Sequence, residues 1–389
     1  MARWRDMLRH APVLMFVPVL LFRLFLCAQP PEDTSDLYRH LGYTSHLLSH
    51  GLEIYKTTPQ DFAPEFWTQF WPYTPYIYPP GALLFFSVFG MTGVGLFWVK
   101  FIFTVFDLIS SVIVARFTNL FGGLLLFSMP VALWYTSHEG MYESLVLLPM
   151  LISAASAIRG RWFMSGAFWM LALQLKQFPL LLAPLFLSEL LRAEPKSRKK
   201  WVQRFAIGFV VALIPFLPFY LVALDIWFRP IQLHLTFNPF SWDFTNRSLF
   251  GWMPYWLIVW NAIASGIIFI VAIALMFRRP RFFSFLEALP IASFWALLKS
   301  LNWGQFWYVI PAAGFFIGLH RSKRWILLLL ILHWLQCGRS LALLTGPAFG
   351  IREYQETIDR FQSCLWTCDY QFAKESPNAP ANSPADIHR

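Results

Sequence analysis

Three carboxylates, Glu32, Asp33 and Asp36, follow directly on the first apolar run of the chain. Tyr38, Tyr43, Tyr55 and the Tyr-rich stretch from Trp71 to Gly81 come after them. A carboxylate held just outside a bilayer and flanked by aromatics that favour the interface can act as a general base, taking a proton from a hydroxyl as it attacks. Asp36 is the residue expected to do this, with Asp33 beside it as a binding group. A solvated acidic loop is the plainer alternative. Lys100 and Asp107 stand seven residues apart in one apolar run, on nearly the same face of a helix. Ionisable groups inside a span face the protein interior or a wet cavity and often pair with a partner. The plainer alternative is thus a structural ion pair or a snorkelling lysine. The other is direct substrate contact, with Lys100 near the outer end meeting a phosphate and Asp107 deeper.

Further polar residues recur at connections between apolar runs. Ser137 to Glu143 carries His138 and Glu139, which could hydrogen-bond a polyol or supply a second base, while Glu143 suits the positive end of the next helix. Lys176 and Lys299 stand at two other connections, each either an interfacial anchor or a cation for a phosphate. Arg247, within the polar stretch Asp225 to Trp252, could fork onto phosphate oxygens or simply anchor its loop. There is no P-loop, His cluster with metal-ligand spacing, or Ser-His-Asp arrangement.

The elements that must hold these groups are membrane helices. Apolar residues make up 57% of the chain and charged ones 13%, against about a quarter in soluble domains. Runs near the roughly 18-residue length of a membrane helix recur, and the short alternation of barrel strands is absent. The expected fold is all-α: a polytopic helical membrane protein of about 11 spans. The formal charge of +10 does not point to nucleic acid, because the cations cluster in short connections, as cytoplasmic loops do. Arg159 and Arg161, Arg192 to Arg204, Arg278 to Arg281, and Arg321 to Arg324 are such clusters.

On this basis Ala11 to Ala28 is a retained first span, since no small-residue cleavage site precedes Gln29. Leu96 to Phe117, Leu120 to Tyr135, Ser144 to Ile158, Phe163 to Leu175, Phe178 to Leu191 and Phe205 to Leu224 are the following spans, and Ala193 to Arg204 is a basic loop. Pro79 to Val94 fits the charge rule only as a helix lying in the interface or partly entering the membrane. Residues 1–347 form the membrane domain and 348–389 an extracytoplasmic tail, disordered from about Glu375 by composition. Cys27 and Cys337 read as small buried apolar groups. Cys364 and Cys368 on the tail are a conceivable disulfide with poor spacing for one.

The arrangement Ser35-Asp36-Leu37, Tyr43, Leu47-Leu48, Gly51 and Ile54-Tyr55 resembles the first outer loop of polyprenol-phosphate-sugar-dependent glycosyltransferases of the GT-C fold. The mannosyltransferase branch, which includes the GPI-mannosyltransferase-like enzymes, looks closest. The Lys100 and Asp107 pair, the Ser137 to Glu143 tip, the Lys176-x-x-Pro179 turn and Asn246-Arg247-Ser248-Leu249 are similar to segments of the same enzymes. The resemblance implies a GT-C-like fold with a juxtamembrane helix in the first outer loop. It implies transfer of a hexose, mannose by preference, from a polyprenyl-phosphate donor to a glycan or glycolipid acceptor with inversion. Asp36 would be the base, and Lys176, Arg247 and Lys299 would offset the phosphate charge. The site would lie on the extracytoplasmic side of a bacterial inner membrane or an endoplasmic reticulum membrane, with membrane lipid as the remaining partner. No cofactor is implied; Asp33 and Asp36 depart from the strict Asp-x-Asp of some branches, which leaves a divalent metal open. A transporter or flippase of a lipid-linked saccharide is the alternative, sharing the polar residues but needing no base.

The charge pattern makes a topological prediction. Thiols engineered near Asp61 and Ser197 should react with an impermeant reagent from opposite faces of the membrane. Labelling of both from one face would overturn the assignment.

Overall fold

The structure is a computed structural model that describes residues 2–31, 35–58, 76–117, 120–129, 132–177, 179–180, 194–226 and scattered positions between 183 and 190 and between 263 and 274. All belong to the first of two compact units, Met1–Leu341; the second is Ala342–Arg389. Glu32, Asp33, Arg247, Lys299, Cys337 and the tail cysteines lie outside the described residues. So do the further expected spans Phe282 to Leu298, Phe306 to Leu319 and Trp325 to Leu344 and most of Pro254 to Phe277.

Every regular element among the described residues is helical. The chain runs through α1 (Ala2–Ala28), α2 (Ser35–Ser45), α3 (Leu47–His50) and a 3₁₀ turn (Gly51–Tyr55). Next come α4 (Pro80–Thr92), α5 (Leu96–Phe117), α6 (Leu120–Phe127), a π-helical turn (Ala132–His138) and α7 (Glu143–Ile158). α8 (Trp162–Leu173), α9 (Pro195–Leu213) and α10 (Leu217–Val222) follow. Two helices, Leu96–Arg116 and Pro195–Val222, are long and apolar enough to cross a membrane, or three if the bent pair of π turn and α7 is one span. Phe22, Trp98, Val112 and Val210 are each about half exposed or more on the flanks of α1, α5 and α9. Such surfaces are stable against lipid tails rather than water.

Among the described residues the expected segments Leu96 to Phe117, Ser144 to Ile158, Phe163 to Leu175 and Pro79 to Val94 coincide with helices to within about two residues, and three others differ. Leu120 to Tyr135 is not one continuous span: α6 ends at Phe127, and the chain resumes in the π turn. Pro130 lies in that gap and has no N–H to continue an α-helix. The basic segment expected as a loop is instead the first turns of α9, opened by Pro195, a residue pre-set for a helix start. The described part of the expected first outer loop is largely helical, and three of its tyrosines are core. Tyr43, Tyr55 and Tyr76 are buried in a cluster with Ile54, Leu83, Phe219 and Ile226, which fastens the loop to the end of α10. α4, at 13 residues, is too short to span, and buries Ala82, Leu83, Phe86 and Phe89 against the rest.

α8 and α9 run parallel along their length. Trp162 stacks on Trp201 at one end, with ring centroids 5.2 Å apart, and at the other Tyr220 donates to Gln174 Oε1 over 2.7 Å. Between them two glycines let the backbones touch, the small-residue contact that membrane helices use in place of a hydrophobic drive. A β-carbon added to Gly166 would lie 2.1 Å from Phe205 O, and one on Gly208 2.0 Å from Phe163 O.

Since backbone on both sides leaves no room to relax, Gly208→Val should destabilise the protein by at least about 1–3 kcal/mol. Gly95→Ala, with nothing within 4 Å of the added carbon, should be nearly neutral. Thermal midpoints in detergent compare the two; equal midpoints would sink this account of the packing.

Candidate functional site

One face of α5 carries Lys100, Thr104 and Asp107, spaced one helical turn apart; Thr104 and Asp107 meet residues of the antiparallel α1, and Lys100 meets the residue that follows it. Lys100 Nζ donates to Gln29 O at 2.5 Å. Thr104 Oγ1 lies 3.4 Å from Cys27 Sγ. Arg23 Nη1 donates to Asp107 Oδ2 at 2.7 Å. All six residues except Gln29 are buried. A charge in hydrocarbon is strongly disfavoured unless paired, and the pair here closes within the helix bundle. Asp107 is thus the partner of Arg23, the ion-pair alternative of the two the sequence leaves open for it.

The π turn packs across these rungs. Arg23 Nε donates to Phe127 O at 2.9 Å, and Nη1 also reaches Ser137 Oγ at 3.1 Å, with the guanidinium carbon 4.4 Å above the Phe127 ring. Ser137 Oγ in turn lies 3.1 Å from Thr104 Oγ1. The bonds Glu139 N to Trp134 O (2.9 Å) and, one residue wider, Met141 N to Tyr135 O (2.7 Å) widen the turn beyond α geometry. Such π segments recur at functional sites because they re-aim side chains. Gly140 then adopts φ +77°, a conformation costly for residues with a β-carbon, and the chain turns through 116° into α7.

The Ser137 to Glu143 tip is therefore buried in the protein. Its polar groups find partners there. His138 Nδ1 and Glu139 Oε1 are 2.7 Å apart, with the imidazole stacked 4.2 Å from the Trp134 ring. The His138 carbonyl accepts from Lys100 Nζ at 2.8 Å, so that ammonium bridges the end of α1 and the π turn. Glu143, the first residue of α7, forms a buried ion pair with Lys176, whose ammonium also lies 4.2 Å from the centroid of the Tyr142 ring. Lys176, read from sequence as an outer-turn cation, is thus inside the protein and held by a carboxylate.

The first turn of α2 reaches the same end of the bundle. Asp36 is the second residue of α2. Leu37 is buried, and a β-carbon on Gly140 would lie 2.5 Å from Leu37 Cδ2 and 3.2 Å from Lys100 Cγ. One turn further along α2, His40 donates to or accepts from Tyr76 OH at 2.8 Å and stacks on Phe86 at 4.2 Å, with Tyr78 and Tyr142 alongside. α4 closes this end through Ala82 N, which donates to Gln174 O at 3.1 Å. The fold thus gathers the backbone of Asp36 with Lys100, His138, Glu139, Glu143 and Lys176. It sets Asp107 one layer deeper, with Arg23.

No protein-family model matches this chain, and no curated protein is detectably similar to it. The site therefore stands on its own geometry. Sequence reasoning passed over Arg23, His40 and the partnership of Glu143 with Lys176. An arginine inside an otherwise apolar first span was a usable signal for the first. Neither of the others had one, because their partners come from 33 or more residues away. Among the described residues no group of three or more His, Cys, Asp or Glu side chains is arranged to hold a metal ion.

Glu143 and Lys176 make a separable prediction. Removing one charge from a buried pair leaves the other uncompensated, so Glu143→Gln and Lys176→Met should each cost about 3–5 kcal/mol. The double variant Glu143→Leu with Lys176→Met should recover most of the loss. Additive losses in thermal unfolding would show that the two charges are not energetically coupled.

Proposed function

We propose that the chain is a membrane glycosyltransferase of GT-C type, moving a hexose, mannose by preference, from a polyprenyl-phosphate donor to an acceptor hydroxyl. The observation that carries this reading is the packing of Leu37 and of the Lys100 stem against Gly140. It sets the start of α2, with Asp36 in its first turn, beside buried cations and carboxylates at one end of an apolar bundle. A lipid-linked donor needs such a place, with its prenyl chain in hydrocarbon and its phosphate at a polar rim.

In this reading Asp36 takes the proton of the acceptor hydroxyl while its oxygen attacks the anomeric carbon. The bond from that carbon to the phosphate oxygen breaks, the configuration inverts, and the polyprenyl phosphate leaves with the electron pair. An ammonium has three donors, so Lys176 can serve the departing phosphate while it remains bonded to Glu143. Arg247 and Lys299 are assigned to the same anion. His138, paired with Glu139, is assigned to hydrogen-bond the sugar.

Purified protein incubated with labelled polyprenyl-phosphate-mannose and glycan or glycolipid acceptors tests this. Label should leave the lipid, and Asp36→Asn should lower turnover by about 10²–10⁴-fold, as loss of a general base does. A carboxylate in the first turn of a helix contributes only about 0.3–1 kcal/mol, so the variant should still fold and bind donor. Asp33→Asn should be the milder of the two. Near-wild-type turnover in Asp36→Asn would put the base elsewhere. Label that crosses the membrane while still attached to the lipid would instead identify a flippase.

A further inference from the structure

Arg23 is fully buried in α1, and its guanidinium binds three other segments: Asp107 of α5, the Phe127 carbonyl at the end of α6, and Ser137 of the π turn. The segment between Phe127 and Ser137 is where the chain abandons α geometry. Both ends of that break are thus bonded to one rigid, planar group, and a third bond anchors the group to α5 through a carboxylate. Arg23 Nη2, in contrast, has no hydrogen-bond partner among the described residues. Leaving a buried donor unmet costs about 1–3 kcal/mol, so satisfying its own donors is not what fixes this orientation. The three bonded segments fix it.

The residue after Ser137 is His138, whose carbonyl accepts from Lys100 and whose ring pairs with Glu139. A shift of Ser137 is carried directly into this pair and, through Gly140, into the contact with Leu37 at the start of α2. We infer that Arg23 is a positioning residue: by holding Phe127 O and Ser137 Oγ together it sets the π turn, and with it the place of His138 and Glu139 relative to Lys100 and α2. Its importance for turnover rests on the transferase reading above; its hold on the π turn does not.

Three full-length variants in lipid nanodiscs test this by two readouts. Arg23→Met with Asp107→Leu removes both charges together, a change that buried pairs often tolerate without loss of stability. Ser137→Ala keeps the ion pair and cuts one link to the turn. Arg23→Lys keeps the charge but cannot span three segments. The first readout is donor-dependent kinetics. The double variant should lose about 10²-fold in kcat, the cost of roughly 1 Å of misplacement, with Ser137→Ala and Arg23→Lys intermediate. Donor KM should stay within about twofold, since no binding group is removed.

The second readout is amide hydrogen exchange of peptides spanning residues 132–143 against those spanning 145–157. Exchange should speed up at least about tenfold in the first set and little in the second, as a local opening does. Should the double variant fail to insert, Ser137→Ala and Arg23→Lys decide by the same two measurements. Wild-type kcat together with unchanged exchange in the folded variants would reduce Arg23 to a brace and overturn the inference. If the wild-type protein transfers no sugar, the transferase reading fails, and exchange alone decides: unchanged rates overturn the role of Arg23, and faster exchange in 132–143 upholds it.

Discussion

A charge buried among apolar helices must be neutralised by the protein itself, and the pair of Arg23 with Asp107 meets that requirement in a way that fixes much else. Because the arginine lies on α1 and the aspartate on α5, the two helices are held at one register and antiparallel. Cys27 with Thr104 and Gln29 with Lys100 then fall into place one and two turns along. Nε extends the constraint to Phe127 O, and Nη1, which also bonds Asp107, extends it to Ser137 Oγ, so the end of α6 and the π turn inherit their position from the same group. Partner loss would leave an uncompensated ion in a medium that cannot solvate it, which makes this node far less tolerant than any single apolar contact.

Around the node, two devices bring chemistry to one end of the bundle. One is the interruption of regular helix. Wider hydrogen bonding from Ala132 to His138, followed by the left-handed Gly140, turns the chain sharply and stacks His138, Glu139 and Glu143 inward instead of along one helix face. The other is close backbone approach. Gly166 and Gly208 let α8 and α9 touch, and Gly81 lies against Gln174, so α4 closes on the end of α8 where Lys176 emerges. Lipid supplies no hydrophobic drive between helices, and contact has to come from such fits and from buried polar bonds.

The proposed transfer sits at the meeting point of these constraints. Lys100 is bonded to two backbone carbonyls and Lys176 to Glu143, so both cations are pre-placed rather than free to wander. Preorganised charge of this kind is what stabilises a departing phosphate without reorganisation during the reaction. The aromatic wall around His40, formed by Tyr76, Tyr78, Phe86 and Tyr142, makes the neighbouring part of α2 rigid as well.

Composition was enough to point to helices long and apolar enough to cross a membrane, because hydrocarbon accepts only backbone that satisfies its own hydrogen bonds, and a long apolar run satisfies that by being a helix. The limits of α5, α7 and α8 were legible to within a residue or two for that reason, and so was the shortness of α4. The shared face of Lys100 and Asp107 followed from helical spacing. Which partner each of the two would meet did not, since Arg23 lies 84 residues from Asp107, and Gln29 and His138 lie 71 and 38 from Lys100. Nor could sequence separate a solvated polar tip from a buried one at Ser137 to Glu143. Local polarity is the same in both cases, and the outcome rests on whether distant segments supply the missing donors and acceptors. Here α1, α5 and the turn after α8 supply them, so tertiary packing, not composition, decided what these residues touch.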